Sequence, residues 1–112
     1  RYNPAHRGAK KECFSLFDTK TSPGLVTYTA TRWGHLLQSK RMPQGDNPLS
    51  ASECYRFSLS DPRVNICMCG PGDKKQMQDA LTALDKGLLT KDEEKRIIRI
   101  GDHVHKSAKG FL

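Results

Sequence analysis

Residues Ser52–Ala83, SECYRFSLSDPRVNICMCGPGDKKQMQDALTA, decide how the chain is read. Ser50-x-x-Glu53 just upstream is a capping box, in which the serine oxygen and the glutamate carboxylate each satisfy a free backbone N–H. It opens a helix that must stop at Asp61-Pro62, since proline lacks a donor and restricts the residue before it. Val64–Cys69 is a nearly continuous apolar run, as expected of a short strand buried on both faces. After Gly70-Pro71-Gly72, Asp73 is placed to cap a second helix with Gln76 at its third position. In that helix Met77, Leu81 and Leu84 recur at i, i+4 and i+7, which predicts one buried face, and Gly87 ends it. A glycine loop that leaves a strand and opens a helix often presents N–H groups to a phosphate, so this unit is a candidate half-site for a nucleotide cofactor.

Working outward, Thr90-x-x-Glu93 is a second capping box, opening a last helix through Ile97, Ile98 and Val104. Upstream, Leu25–Ala30 (LVTYTA) has the β-branched and aromatic content of a strand. Arg7–Phe17 reads as a short helix with Cys13, Phe14 and Phe17 on one side. Residues 38–49, QSKRMPQGDNPL, are polar and rich in proline and glycine, as in a surface loop. Strand, loop and helix in repetition, without hairpin signals, are the grammar of a parallel α/β fold. Two strands and a fragment at residues 1–3 are too few to close a barrel or to cover a sheet, so the chain reads as the end of something larger.

The 112 residues allow one small domain, and 36% hydrophobic content is modest for an independent core. No apolar run of about 18 residues is present and the first residues lack the apolar stretch of a signal peptide, so a cytoplasmic, non-membrane protein is expected. Cys13, Cys54, Cys67 and Cys69 follow neither zinc-module nor disulfide-framework spacing and read as reduced thiols, packed as small hydrophobes. Cys67-x-Cys69 with His103-x-His105 invites a metal, but histidines at i and i+2 of a helix point apart, so no metal site is expected. The net charge of +7 points to an anionic partner. Lys10-Lys11 and Lys40-Arg41 read as solvated surface, and no exposed aromatics interleave with the basic residues as nucleic-acid binding would want.

Taken in order, RYNPAHRGA, PGLVTYTATRWGHLL, the Ser52–Ala83 run and the trailing GDHVH resemble the carboxy-terminal part of the aldo-keto reductase family, and most closely its bacterial and potassium-channel-β-subunit-like branch. The resemblance spans nearly the whole chain, residues 1–112. It implies the carboxy-terminal fragment of a (β/α)8 TIM barrel, a fold of about 250 residues, with Arg1–Asn3 ending the sixth strand and with Leu25–Ala30 and Val64–Cys69 as the seventh and eighth. It also implies an NADP (or NAD) cofactor lying over the strand ends and a small aldehyde or ketone substrate.

By the resemblance, Tyr28 stacks on the nicotinamide, and the loop through Thr29, Thr31 and Arg32 holds the pyrophosphate. Arg32, beside Trp33, also reads as a cation–π partner or a surface charge. Gly70 and Gly72 approach the adenosine ribose phosphate, and Gln76 and Asp79 face the adenosine end. Relatives carry Arg or Ser near the 2′-phosphate where this chain has Gly72, with Lys74 and Lys75 nearby, and commonly carry an asparagine at Ala80. That leaves NAD and NADP both open. The family's Asp, Tyr, Lys and His tetrad belongs to amino-terminal strands and has no match here, so the chain contributes cofactor contacts and no catalytic residue. The alternative is a small non-catalytic basic domain binding a nucleotide or nucleic acid.

Overall fold

Two short strands set the frame, and the helices pack on one side of them. The computed structural model describes residues 1–108, and its element order is α1 (Gly8–Glu12), β1 (Val26–Thr27), α2 (Ala51–Leu59), β2 (Ile66–Cys67), α3 (Lys74–Lys86) and α4 (Lys91–Ser107). Single 3-10 turns occupy Phe14–Leu16, His35–Leu37 and Ser39–Arg41. The strands pair in parallel, Val26 with Ile66 and Thr27 with Cys67. On the opposite edge of β1 the Tyr2 N–H donates to the Tyr28 carbonyl at 3.2 Å, so three backbones lie side by side. A radius of gyration of 13.8 Å matches the ~13 Å of a folded chain this long. The chain is a compact mixed α/β domain with four α-helices and a two-stranded parallel sheet among its described residues.

The helix signals act where the sequence puts them. Ser50 Oγ accepts from Glu53 N at 3.1 Å while Glu53 Oε2 accepts from Ser50 N at 2.8 Å. Thr90 and Glu93 repeat the box, and Asp73 Oδ1 accepts from Gln76 N. α2 ends before Asp61-Pro62, and Gly87 terminates α3 at φ +69°, where a side chain would be strained.

The core gathers Tyr2, Phe14, Leu36, Phe57, Ile97, Ile100 and Val104. Tyr2 stacks on Phe57 at 5.4 Å and meets Phe14 edge-on at 4.8 Å. Gly101 of α4 lies against the Pro4 carbonyl so closely that an added Cβ would sit 2.1 Å from that oxygen. Buried Arg56 of α2 ties the fold together: it donates to both Glu93 oxygens and to the carbonyls of Gly87 and Leu88.

Several expectations are corrected. Both strands are two residues long, shorter than Leu25–Ala30 and Val64–Cys69. β1 stops because Thr29 turns into the left-handed region, and before β2 the Asn65 side chain has already taken the Leu25 N–H. β2 is not buried on both faces: Val26, Tyr28, Ile66 and Met68 point to solvent, and only the other face, through Thr27 and its bond to Ser58, packs inward. Met77, Leu81 and Leu84 are 43%, 53% and 70% exposed, since α3 packs on α2 through Ala83 and none of the described residues covers its apolar stripe. Arg7–Phe17 is broken at Cys13 into α1 and a 3-10 turn. Of the four free cysteines only Cys54 is buried, its thiol pushed up by desolvation; Cys69 is exposed because it follows the open β2. No described helix is long and apolar enough to cross a membrane.

Candidate functional site

Because β1 and β2 run in parallel, the segments that follow them emerge at the same end of the sheet. In α/β folds ligands bind outside these carboxyl ends. The segment after β1 is unusual in its backbone. Thr29, Arg32 and Trp33 have φ of +62°, +52° and +54°, and Gly34 follows at +83°. Only glycine adopts such values readily; for a β-branched threonine they mark strain of order 1–3 kcal/mol.

Hydrogen bonds from every side hold this loop. The Thr29 carbonyl accepts from the buried Asn3 Nδ2 at 2.9 Å and from Arg32 N at 3.1 Å. Thr31 Oγ1 accepts from Gly34 N, the Thr31 carbonyl from Leu36 N, and the Arg32 carbonyl from His35 N. Asn3 is itself fixed, because its Oδ1 accepts from the N–H groups of Ala5 and His6 in the Asn3–His6 turn. A conformation held this firmly is a preorganised surface rather than a mobile loop.

Two cavities flank the loop, with Trp33 lining both. The larger, about 890 Å³, lies between the Asn3–His6 turn, α1 and the end of α4, and takes in Tyr28 and Thr29. Tyr28 is 54% exposed there, with its ring open to a ligand. The smaller, about 550 Å³, runs between the two strand-end loops and the start of α2. Thr31 and Gly34 form one wall, Gly70, Pro71, Gln76 and Asp79 the other, and Tyr55 closes the back.

The expected contact residues thus fall into two groups. Tyr28 and Thr29 share the larger cavity; Thr31, Gly70, Gln76 and Asp79 share the smaller. Gly72 lines neither, and its N–H donates to Gln76 Oε1 at 2.7 Å, which shapes the loop. Arg32 is fully buried, bonded through Nη1 to His35 Nδ1, and lines neither cavity. Desolvation, with Arg41 and Arg1 nearby, lowers its pKa. Its role here is to hold the loop from beneath, not to lie on the surface.

Asn3, His6, Trp33 and Tyr55 belong to the site although the sequence did not single them out for it. Asn3-Pro4 was the available signal, since Asn before Pro starts a side-chain-capped turn. The His6 ring meets those of His105 and Trp33 edge-on at 5.8 and 6.4 Å. Its pKa is lowered to about 4, by burial first and then by the charges of Arg1, Arg32 and His105, which keeps the imidazole neutral. Burial, followed by Arg41 and Arg32, lowers His35 as well. Among the described residues no group of three or more His, Cys, Asp or Glu side chains is arranged to hold a metal ion. No family model, curated protein or solved structure matches the chain.

Proposed function

We propose that this chain is the carboxy-terminal, cofactor-binding part of an NAD(P)H-dependent aldo-keto reductase that reduces aldehydes or ketones. Its two strands are then the seventh and eighth of a (β/α)8 barrel. The observation that carries the reading is the strained, tightly bonded loop Thr29–Gly34, which stands at the carboxyl end of β1 between two cavities. The side-by-side order Tyr2, β1, β2 supports it, being the order of three neighbouring barrel strands. So does the bare face of Val26, Tyr28, Ile66 and Met68, because parallel sheets are normally covered on both sides.

The residues present suit a dinucleotide in outline. Tyr28 offers a flat, exposed ring in the larger cavity, and Thr31, Gly70, Gln76 and Asp79 line a groove of a size that takes a nucleoside. A nicotinamide dinucleotide, when bound, would supply the hydride; Tyr28 would hold its nicotinamide ring by stacking, and the backbone of the Thr29–Gly34 loop would hold its phosphates. No residue of this chain is assigned the proton transfer to the carbonyl oxygen.

Titration of the chain with NADH and NADPH tests the proposal. The single tryptophan, Trp33, borders both cavities and reports on either by its emission. Saturable quenching is expected, weakened about fivefold in Tyr28→Ala, the worth of one aromatic stack. Absence of quenching up to millimolar cofactor would sink the reading. Saturable binding of a short oligonucleotide in its place would favour the basic-domain alternative.

A further inference from the structure

The uncovered stripe of α3 runs next to an ordered row of polar side chains. With 3.6 residues per turn, Met77, Leu81 and Leu84 fall within about 60° of one another, at the four-three spacing of a helix-pairing seam. On the adjoining flank Lys74, Gln78 and Asp85 fall within about 40°. All six residues are exposed, and neither the Lys74 nor the Asp85 side chain enters a hydrogen bond or ion pair among the described residues. The buried Ala83, by which α3 packs on α2, lies about 160° around the helix from Leu81, so the middle of the seam faces away from α2. The two rows are complementary to their own reverse. Lys74 and Asp85 put opposite charges at the two ends of one row, and Met77 and Leu84 bracket Leu81 in the other. The midpoints of these two pairs differ by one residue, about 1.5 Å along the helix, so a single two-fold axis serves both.

We infer that α3 is the seam of a homodimer, in which it pairs antiparallel with α3 of a second copy of this chain. Such a pairing sets Lys74 against Asp85 of the other copy twice, Met77 against Leu84 twice, and Leu81 near the axis. A parallel pairing opposes lysine to lysine and aspartate to aspartate, so the charge order selects the antiparallel one, as flanking charges do in coiled coils. The apolar row supplies the driving force, since its three side chains lose their remaining water in the contact. The contact is isologous, the same patch on both copies, and closes at two. The chain has surface to spare for it: 7323 Å² exceeds the amount typical of its mass by about 1100 Å², against the roughly 800 Å² that each partner gives to a standard interface. The inference does not depend on the cofactor reading, because α3 turns a different face to the strand-end groove, through Gln76 and Asp79.

Sedimentation velocity on the chain across the micromolar range tests this, and a monomer–dimer equilibrium is expected there. Lys74→Asp and Asp85→Lys should each weaken the dimer about tenfold, because each turns two attractive pairs into repulsive ones. Both substitutions in one chain should restore it to within about threefold, since the exchanged charges again meet their opposites. Each change puts acid at the start of α3 or base at its end, which suits the helix dipole, so the weakening cannot come from a melted helix. Far-UV circular dichroism should stay unchanged in all three variants. Leu81→Ser should leave the chain monomeric in this range. A chain that is monomeric throughout without any substitution overturns the inference. So does association indifferent to the charge exchanges, which belongs to another face, and so does growth beyond a dimer, which a closed two-fold contact does not allow.

Discussion

Helices α3 and α4 are both amphipathic and both begin with a side-chain cap, yet α4 buries Ile97, Ile100, Gly101 and Val104 whereas α3 buries Ala83 alone. The two helices differ in what faces them. α4 lies on the Asn3–His6 turn and the Tyr2–Phe14–Phe57 cluster, and Arg7 of that turn's far side pairs with Asp102. α3 leans on α2 with one flank, and its Met77–Leu81–Leu84 stripe meets solvent, as do Ile66 of β2 and the Met68 that follows the strand. The accessible surface, 7323 Å², exceeds the roughly 6200 Å² typical of a 12.6 kDa monomer, and these faces contribute to the excess. Caps and periodicity are local and decide that a helix forms. Burial depends on a partner surface, and one half of this molecule has it.

The harshest way to break the contrast is Gly101→Ala. The added Cβ would meet backbone, the Pro4 carbonyl, which has no rotamer to escape into. A loss of about 3 kcal/mol or more is expected, at the upper end of overpacking costs. Urea denaturation measures it, with Gly8→Ala as control because nothing lies within 4 Å of that position. Equal midpoints for the two variants would refute the docking of α4 on the Asn3–His6 turn.

Arg56→Met comes next. It leaves two carbonyls and one carboxylate without their donor, while keeping much of the buried volume. Glu93 remains partly exposed, so the loss should be about 2–3 kcal/mol, below that of a fully buried pair. Glu93, now held down to about 2 chiefly by its hydrogen bonds from Arg56, should titrate much closer to its ordinary 4.5 in the variant. Carboxylate NMR shifts against pH would show this directly, and an unmoved Glu93 would count against the clamp.

A smaller effect separates the closed side by pH. His6 titrates at about 4 in the folded chain against 6.5 ordinarily, so between those values the unfolded chain binds the proton and the folded chain does not. Stability from this group is therefore complete above about pH 6.5, falls as pH drops toward 4, and levels off below. Denaturation midpoints should decline across that window, and His6→Gln should flatten the decline. A slope unchanged by that substitution would assign it to other groups.

How much of this was legible in the sequence follows the same division. Ser50, Asp73, Gly87 and Thr90 were readable because each acts within four residues of itself, and so was the stop at Asp61-Pro62. The Thr29–Gly34 strain was not: no local signal forces a threonine to positive φ, and Asn3, which holds its carbonyl, lies 26 residues away. The closeness of Gly101 to Pro4 is likewise a long-range fact. The candidate contacts Tyr28, Thr31, Gly70 and Asp79 came from a resemblance, and the fold brings them to one end of the sheet. Arg32 was named as a contact, but the reversed backbone on which it sits turns it inward.

The gentlest change sharpens the comparison most. Replacing Met77, Leu81 and Leu84 together by serine removes an apolar stripe that touches solvent, whereas truncating a buried α4 residue such as Ile100 to alanine should cost 2–5 kcal/mol. Serine is a slightly poorer helix former than leucine or methionine, so the triple variant should lose no more than about 1 kcal/mol. Its larger effect should be on association. Bare apolar faces such as this stripe and the open face of the sheet are surfaces through which proteins stick to one another, so the unaltered chain is expected to self-associate at micromolar concentration. Sedimentation velocity should find the triple variant shifted toward monomer, with its urea midpoint nearly unmoved. A triple variant that loses several kcal/mol would mean that α3 is covered in solution by this same chain, and that its two long helices differ less than their exposures say.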